Sequence, residues 1–302
     1  MQNVYNFVRG RTTLERRARI GYLFIAPSLF FVMILFVIPM GYNAYLSTVK
    51  YHIVRPAAFV GLGNYQTVLE SSDFWESVGH TLYFTVLSVP ITIGLALVVA
   101  LGFHRLGLRF GISLVRALYF IPVVASLTAV AYIWSWIFNP AYGLANNLLQ
   151  MLSLPTLKWL NSTQQVIPSL SIMYIWAKLG FNMLILLAGL NAISRDYYEA
   201  AEIDGANRWR SFWYITLPLL NRQLVLVGVV EVMTALKVFA LPYAATGGGP
   251  VDASRTLVMI IYQWAFHWNR IGESAVASIF LFLLILCLTV LQQRLFARRV
   301  SY

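Results

Sequence analysis

The amino-acid sequence predicts an all-α integral membrane protein with six transmembrane helices, and three observations carry this prediction. Of the 302 residues, 59% are hydrophobic and only 11% are charged, whereas a soluble domain has about 25% charged residues. Runs of about 20 apolar residues recur along the chain, and each is long enough to cross the ~30 Å hydrocarbon core of a bilayer. Lysine and arginine lie in short patches between these runs, so the net charge of +11 indicates membrane topology. Nucleic-acid binding is excluded because it requires a water-exposed basic face.

Six apolar runs define the predicted spans, in chain order: residues 20–46, 79–103, 114–138, 166–190, 224–244 and 274–296. Prolines at four positions inside these spans are acceptable because neighbouring helices can satisfy the freed carbonyl groups; they are Pro27, Pro39, Pro90 and Pro122. The first run is too long for a cleaved signal peptide and lacks a small-x-small cleavage site, so we expect a retained anchor. Residues 1–302 are treated as a single membrane domain.

The distribution of lysine and arginine predicts the orientation of the spans. If the N-terminus is cytoplasmic, 15 basic residues lie on the cytoplasmic side: Arg9, Arg11, Arg16, Arg17, Arg19, Arg105, Arg109, Arg116, Arg195, Arg208, Arg210, Arg222, Arg294, Arg298 and Arg299. Five lie on the outside: Lys50, Arg55, Lys158, Arg255 and Arg270. This excess follows the positive-inside rule. Both termini, and the segment between spans four and five, are therefore predicted to lie in the cytoplasm.

The segment 194–218 predicts two short helices joined by a glycine turn on the cytoplasmic face. Ser194 is a suitable N-cap for the first helix, and Gly205 ends that helix because it adopts a left-handed conformation without a Cβ clash. Asn207 caps the second helix, and Pro218 is expected to close it. Composition alone also fits a solvated interfacial loop whose aromatic side chains anchor in the lipid headgroups.

The spacing within "YEAAEIDGANRWRSFWYITLP" distinguishes this segment from an ordinary loop. Glu199-Ala200-Ala201 is followed after three residues by Gly205, after nine more by Ile215, and after one more by Leu217-Pro218. This pattern resembles the EAA motif of binding-protein-dependent ABC importer permeases. The segments "FVGLGNYQTVLESSDFW", "WAKLGFNMLILLAGLNAI", "LKVFALPYAATGGGP" and "IYQWAF" resemble the carbohydrate-uptake members of the maltose and glycerol-phosphate type. Ala240 departs from that pattern, since many members have an acid after "LKVF".

The resemblance implies a type I ABC importer permease fold in the inner membrane of a prokaryote. It implies that the EAA loop docks on a cytoplasmic ATPase subunit through Glu199, Ala200, Ala201, Asp204, Gly205, Ile215, Leu217 and Pro218. The implied partners are a second permease subunit in a heterodimer, two ATPase subunits and an extracytoplasmic solute-binding protein. The chain has no G-x-x-x-x-G-K-[ST] phosphate loop. We therefore expect it to bind no cofactor and to be no enzyme, with ATP and Mg²⁺ held by the partner.

Polar residues within the predicted spans are candidates for the translocation pathway of a sugar, a related polyol or glycerol phosphate. Charges at mid-membrane are costly, so they face a partner or a water-filled cavity. One interpretation is a structural Lys178–Glu231 ion pair with Lys237 extending outward. The other places these residues and Asn182 on the pathway. The aromatic candidates for stacking on sugar rings are Trp134, Trp176 and Tyr243, although such residues are also common at membrane interfaces.

The outer segment Thr246, Gly247, Gly248, Gly249 and Pro250 is expected to be flexible, and the resemblance implies that it approaches the solute-binding protein. His52, His80, His104 and His267 are scattered over both sides, so neither catalysis nor metal binding is expected. An ion-coupled secondary transporter that uses Lys178 and Glu231 is the main alternative function. It explains the buried charges but leaves the EAA spacing unexplained. A membrane-embedded scaffold is a third alternative, with no specific feature in its favour.

Overall fold

The computed structural model describes residues 13–51, 57–106 and 110–296, and the side chains of these residues except at 13–19, 110–113 and 116. Some residues that entered the topology and histidine predictions lie outside the described residues: Arg9, Arg11, His52, Arg55, Arg109, Arg298 and Arg299. The side chains of Arg16, Arg17, Arg19 and Arg116 lie outside the described side chains as well. Within the described part, four helices are long and apolar enough to cross a membrane, and six spans result if each of two bent helix pairs counts as one.

The first membrane helix comprises α1 (Thr13–Val32), a π-helical turn (Met33–Val37) and α2 (Ile38–Ser47). The apolar window within residues 20–47 has no side chain buried inside this chain. Among the described residues, its main packing contact is at the C-terminal end, where α2 contacts the last helix. An apolar helix without cover from its own chain requires lipid or another subunit around it.

A short outer segment follows, with strand β1 (Val49–Lys50) paired antiparallel to β2 (Ala58–Phe59) and then helix α3 (Gly63–Glu70). The buried amide of Asn64 donates to the carbonyls of Ser47 (2.9 Å) and Val49 (3.0 Å). The Ser47 hydroxyl contacts the Tyr65 hydroxyl at 2.9 Å. These bonds connect the outer end of the first membrane helix to α3.

Helix α4 (Ser72–Leu106) contains 35 residues in one continuous element. The stretch "SSDFWESVGHTL" predicts a short surface helix that leads into span two, with Ser72 as its N-cap. The structure shows no break between the two, and Ser71 caps the helix by accepting from the Phe74 amide at 3.4 Å. Its buried hydroxyl groups donate to carbonyls four residues earlier, which satisfies them without leaving the helix; these donors are Thr81, Thr85, Ser88 and Thr92.

The third predicted span is not one continuous helix but a bent pair. Helices α5 (Phe110–Val124) and α6 (Leu127–Ile137) meet at a bend of 107°. Pro122 lacks a main-chain donor, and Ser126 is extended and accepts from the Ala129 amide at 3.2 Å, so it starts a new helix. The break therefore replaces helical hydrogen bonds with a cap.

A loop with helix α7 (Leu144–Met151) and a 3₁₀ turn (Trp159–Asn161) leads to α8 (Val166–Asn191), the most buried of the four long apolar helices. Helix α8 packs along α4 and also contacts α5. A Cβ atom at Gly180 of α8 would overlap the main-chain carbonyl of Tyr119. The two backbones thus approach as closely as small residues allow at membrane helix interfaces.

After α8, helix α9 (Arg195–Ile203) is followed by α10 (Arg208–Ser211), a π-helical turn (Phe212–Thr216) and α11 (Leu217–Leu219). This second arm meets α12 (Asn221–Leu236) at a bend of 64°. The arm ends at Leu219, one residue after Pro218, so Pro218 lies at its end as predicted.

Span five ends earlier than predicted. Helix α12 ends at Leu236, Lys237 is its C-cap, and a separate helix α13 (Ala240–Thr246) carries the remaining apolar residues. The sequence also treats residues 245–273 as an outer loop, but α14 (Leu257–Tyr262) and a π turn (Gln263–His267) are packed inside, with Leu257, Ile260 and Trp264 fully buried. An apolar helix of this length is too short to cross a bilayer. Helix α15 (Ile271–Phe296) completes the fold.

Candidate functional site

The helix–turn–helix predicted from the sequence for residues 194–218 is confirmed. The Ser194 hydroxyl accepts from the Asp196 amide at 3.3 Å and starts α9. Gly205 has φ +73°, and the amides of Gly205 and Ala206 donate to the carbonyls of Glu202 (3.0 Å) and Ala201 (2.8 Å). This pair of bonds is a Schellman motif, which satisfies carbonyls at a helix end. The Asn207 side chain then accepts from the Arg210 amide at 2.9 Å and starts the second arm.

The two arms are held together by side chains, and their residues divide into an exposed group and a packed group. The hydroxyls of Tyr198 and Thr216 are 3.0 Å apart, and Thr216 is buried. The exposed motif residues are Glu199, Ala200, Asp204, Gly205 and Pro218, whereas Ala201, Ile215 and Leu217 are half-buried. Ile203, beside the turn, is 87% exposed. The turn thus exposes charged, small and apolar residues next to one another.

The C-terminal end of α4 lies beside this helix pair. A cavity of about 530 Å³ separates them, and it is lined by Leu101, His104 and Arg105 of α4 together with residues of both arms. Tyr198 and Glu202 contribute from α9. His104 is positioned by Asn191, whose amide oxygen lies 2.9 Å from Nδ1. The helix pair therefore adjoins a helix that runs to the other end of the molecule.

Aromatic side chains are exposed along the second arm. Trp209 and Trp213 stack edge to face with ring centroids 5.7 Å apart, and Tyr214 is also exposed. The arm is bent by 64° from the membrane helix α12 that follows it. Exposed Trp and Tyr side chains beside a membrane helix are typical of the interface between lipid and water.

The predicted Lys178–Glu231 ion pair is wrong. Glu231 is 1% exposed and accepts from the Tyr174 hydroxyl at 2.7 Å and from the Asn182 amide at 2.8 Å. Lys178 lies over the Tyr174 ring, with its nitrogen 5.9 Å from the ring centroid. A buried carboxylate is stabilised by such hydrogen bonds. The sequence suggests Asn182 and Glu231 but misses Tyr174, although Tyr174, Lys178 and Asn182 are four residues apart on one face of α8.

The other predicted pathway residues lie in separate groups. Trp134 and Trp176 contact each other with ring centroids 5.8 Å apart. Tyr243 stacks on Phe239 at 5.0 Å and is part of the outer helix α13. Lys237 is exposed at the end of α12, in agreement with a side chain that extends toward water. Asn182 and Glu231 are therefore the only two predicted pathway residues, among those described, that hydrogen-bond directly to each other.

The segment Thr246–Pro250, which was expected to be flexible, is closed by hydrogen bonds in this structure. The Thr246 hydroxyl lies 2.7 Å from the Ser254 hydroxyl, and the Ser254 amide donates to the Gly248 carbonyl at 3.0 Å. Gly247 and Gly248 have positive φ angles of 60° and 102°. Glycine allows the tight turn, and the neighbouring serine and threonine side chains fix it.

Residues 71–302 match the family described as "Binding-protein-dependent transport system inner membrane component". The chain is 34% identical over 276 residues to the trehalose/maltose transport system permease protein MalF of Thermococcus litoralis, with 91% of this chain and 92% of MalF covered. It is 32% identical over 279 residues to the sulfoquinovosyl glycerol transport system permease protein SmoG of Agrobacterium fabrum, covering 90% and 89% of the two chains.

A third relative, the sn-glycerol-3-phosphate transport system permease protein UgpA of Agrobacterium fabrum, is 32% identical over 283 residues, with 93% and 96% covered. The fold is similar to a chain in the crystal structure of a bacterial alginate ABC transporter in complex with an alginate pentasaccharide-bound periplasmic protein. That match has a TM-score of 0.80 at 22% identity and covers 92% of this chain and 94% of the other.

Proposed function

The chain belongs to the family of binding-protein-dependent transport system inner membrane components, and from this premise we propose how it carries out transport. As a permease subunit it forms half of the pathway for a sugar, or for a related polyol or glycerol-phosphate solute. A separate ATPase subunit hydrolyses ATP. The Gly205 turn carries the proposal most directly, because it is an exposed and conformationally defined surface on the cytoplasmic side.

The exposed residues of the turn form the proposed contact with the ATPase. Glu199, Ala200, Asp204 and Gly205 are exposed while the residues behind them are packed. A surface of this kind transmits force because the Schellman turn and the Tyr198–Thr216 contact hold both arms in one arrangement. Ile215 and Leu217 are half-buried and pack the second arm, so their proposed role requires no direct contact with the ATPase.

The solute class follows from the relatives and from the pathway side chains. The names of the relatives assign them trehalose and maltose, sulfoquinovosyl glycerol and sn-glycerol-3-phosphate. All of these carry several hydroxyl groups, and the half-buried Lys178 and the exposed face of Trp176 offer hydrogen bonding and ring stacking to such a molecule. Lys178 is the residue that would interact with an anionic group.

An ion-coupled mechanism finds less support, because both carboxylate oxygens of Glu231 accept hydrogen bonds from buried neighbours. A group that is enclosed in this way lacks the water contact that proton exchange requires.

Uptake into proteoliposomes separates the two functions. The chain is reconstituted with its partner permease and ATPase subunits, and the solute-binding protein is added to one side.

We expect uptake that requires both ATP and the binding protein and that persists with a protonophore. Uptake without ATP that a protonophore abolishes would contradict the proposal. Titration calorimetry of the binding protein with trehalose, maltose, sulfoquinovosyl glycerol and glycerol-3-phosphate then identifies the solute.

The heterodimeric pairing, the inner-membrane location and the cytoplasmic termini are parts of the same proposal. They are supported by the positive-inside distribution and by the uncovered first helix.

A further inference from the structure

An arginine is buried on the outer side of the molecule and joins two separate elements. Arg255 is 4% exposed, and its guanidinium group contacts Asp73 of α4 at 2.9 Å and Asp252 at 3.2 Å through different nitrogens. The main chain next to it is also attached to α4. His80 Nδ1 lies 3.2 Å from the Arg255 carbonyl, and the Leu257 amide donates to the Thr81 hydroxyl at 2.8 Å. Three residues in the first turns of α4, namely Asp73, His80 and Thr81, therefore bond to Arg255 or to the main chain next to it.

The segment preceding Arg255, residues 246–254, forms a closed loop. The Ser254 hydroxyl donates to the Gly249 carbonyl at 2.7 Å, and the Arg255 amide donates to the Asp252 carbonyl at 2.9 Å. Together with the bonds from Ser254 to Thr246 and Gly248, they close the loop at its base. Arg255 completes this closure, because it links Asp252 in the loop to Asp73 on the neighbouring helix.

The tip of the loop is exposed and held in a strained backbone conformation. Val251 and Asp252 have φ angles of +48° and +59°, a region that residues with a side chain rarely adopt and that is least favourable for a β-branched residue. Val251 is also 90% exposed. Strain of this kind persists only where the surrounding bonds impose it, and it often marks a contact site. Arg255 and Ser254 are the residues that impose it here.

The loop lies at the opposite end of α4 from the coupling turn. Asp73 is at the first turn of α4, and Leu101 and Arg105 at its other end line the cavity beside the coupling helices. A 35-residue helix is about 50 Å long, which exceeds the thickness of a bilayer. Because the coupling turn is cytoplasmic under the proposed function, the loop faces the side where a solute-binding protein arrives.

We propose that Val251 at the loop tip contacts the solute-binding protein and that Arg255 is the positioning residue that holds it there. The inference rests on the proposed function, since it requires a binding protein as partner. It assigns Arg255 no contact with that protein. Arg255 acts through Asp252 and Asp73, so its loss loosens the loop and raises the entropic cost of binding.

The test uses the complete complex, with the partner permease and ATPase subunits, in nanodiscs. The purified solute-binding protein is titrated while ATP hydrolysis is measured, which yields a half-saturating concentration and a maximal rate. We expect Arg255→Gln to raise the half-saturating concentration by about tenfold, equivalent to ~1.4 kcal/mol, with a maximal rate close to that of the unmodified complex. Arg255→Lys is expected to restore only part of the affinity, because one ammonium group cannot reproduce the two-nitrogen contact.

Asp252→Asn is a second variant, which removes the charge of one exposed partner of Arg255 and keeps the side-chain shape. It is expected to shift the half-saturating concentration in the same direction. Arg270→Gln is the matched control, since Arg270 pairs with Glu273 on the same side and has no contact with the loop among the described interactions. A lower maximal rate with an unchanged half-saturating concentration in Arg255→Gln and Asp252→Asn would overturn the positioning role.

Val251→Asp separates failure of this inference from failure of the proposed function. If Val251→Asp raises the half-saturating concentration but the Arg255 and Asp252 variants do not, the loop is the contact and Arg255 is not its positioning residue. If none of the variants changes the half-saturating concentration while the binding protein still stimulates hydrolysis, the loop assignment is wrong and the importer function stands. If the binding protein never stimulates hydrolysis by the unmodified complex, the proposed function itself fails.

Discussion

Gly205 has a backbone conformation that residues with a Cβ atom adopt only with strain. Its φ is +73°, yet a Cβ atom at this position would have no neighbour within 4 Å in this chain. The requirement for glycine within the chain is therefore conformational and not steric. Gly205→Val is expected to abolish ATP-driven uptake while leaving membrane insertion intact, because a left-handed conformation costs about 1–2 kcal/mol for an ordinary residue and more for a β-branched one. ATP-driven uptake and the amount of the variant inserted in the membrane are measured in parallel.

Gly205→Asn is the matched control, since asparagine tolerates the left-handed region better than other residues with a side chain. If the turn conformation alone matters, the asparagine variant retains most of the uptake. If both variants are inactive with normal insertion, the open space around Gly205 is filled by the ATPase subunit in the complex. Normal uptake in Gly205→Val would exclude a coupling role for the turn.

Glu231 permits a second prediction at the scale of a single residue. Glu231→Gln preserves a polar group of the same shape between Tyr174 and Asn182, so we expect ATP-driven uptake to continue. Glu231→Leu leaves a buried hydroxyl and a buried amide without their acceptor, and the complex should lose about 1–3 kcal/mol of stability. Thermal unfolding in detergent measures the second effect. Loss of uptake in the stable glutamine variant would favour proton coupling through this carboxyl group.

Residue types were more predictable from the sequence than residue partners. The caps Ser194 and Asn207 and the turn at Gly205 could be predicted because each depends on its immediate neighbours in the chain. The partners of Glu231 could not, because they depend on how α8 and α12 pack. A single sequence indicates that a buried carboxylate needs a partner, but it does not distinguish a lysine from a tyrosine on the same helix face.

The elements show the same division. Spans one, two, four and six could be located from long apolar runs, whereas the bend between α5 and α6 and the early end of α12 were missed. Apolar composition continues through both breaks, and a proline or lysine within a span indicates a break only when the tertiary partners are known. Helix α14 was missed for a related reason, since its length fits a loop, a buried helix or a re-entrant segment.

The contact between α5 and α8 leads to a prediction at the scale of elements. Gly180→Ala should destabilise the protein by about 1–3 kcal/mol, because the added methyl group meets the fixed carbonyl of Tyr119 and forces the helices apart. Gly94→Ala on α4 is the control, since nothing lies within 4 Å of its Cβ position and alanine favours a helix. Thermal unfolding of both variants in the same detergent is the measurement. An equally stable Gly180→Ala protein would show that the helices separate there at no cost.

At the scale of the whole molecule, α4 connects the two surfaces to which functions are proposed. The N-terminal end of α4 bonds through Asp73, His80 and Thr81 to Arg255 and Leu257, which follow the loop directly, and its C-terminal end lies beside the coupling helices. A continuous helix that is packed along α8 transmits a displacement from one end to the other better than a helix interrupted by a loop. The unbroken junction between the expected surface helix and span two is therefore the difference from the sequence prediction that matters most for function.

The two surfaces must lie on opposite sides of the membrane, and cysteine labelling tests this. Cys287 is the only cysteine in the sequence, so Cys287→Ala gives a background without thiols. In that background, Ile203→Cys and Val251→Cys each introduce one thiol at a position that is 87% or 90% exposed. A membrane-impermeant maleimide is expected to label Ile203→Cys only in inside-out vesicles and Val251→Cys only in right-side-out vesicles. Similar exposure makes each variant the control for the other, since a difference in labelling then reports the side and not the accessibility. Labelling of both from the same side would contradict the membrane crossing of α4 and, with it, both proposed contacts.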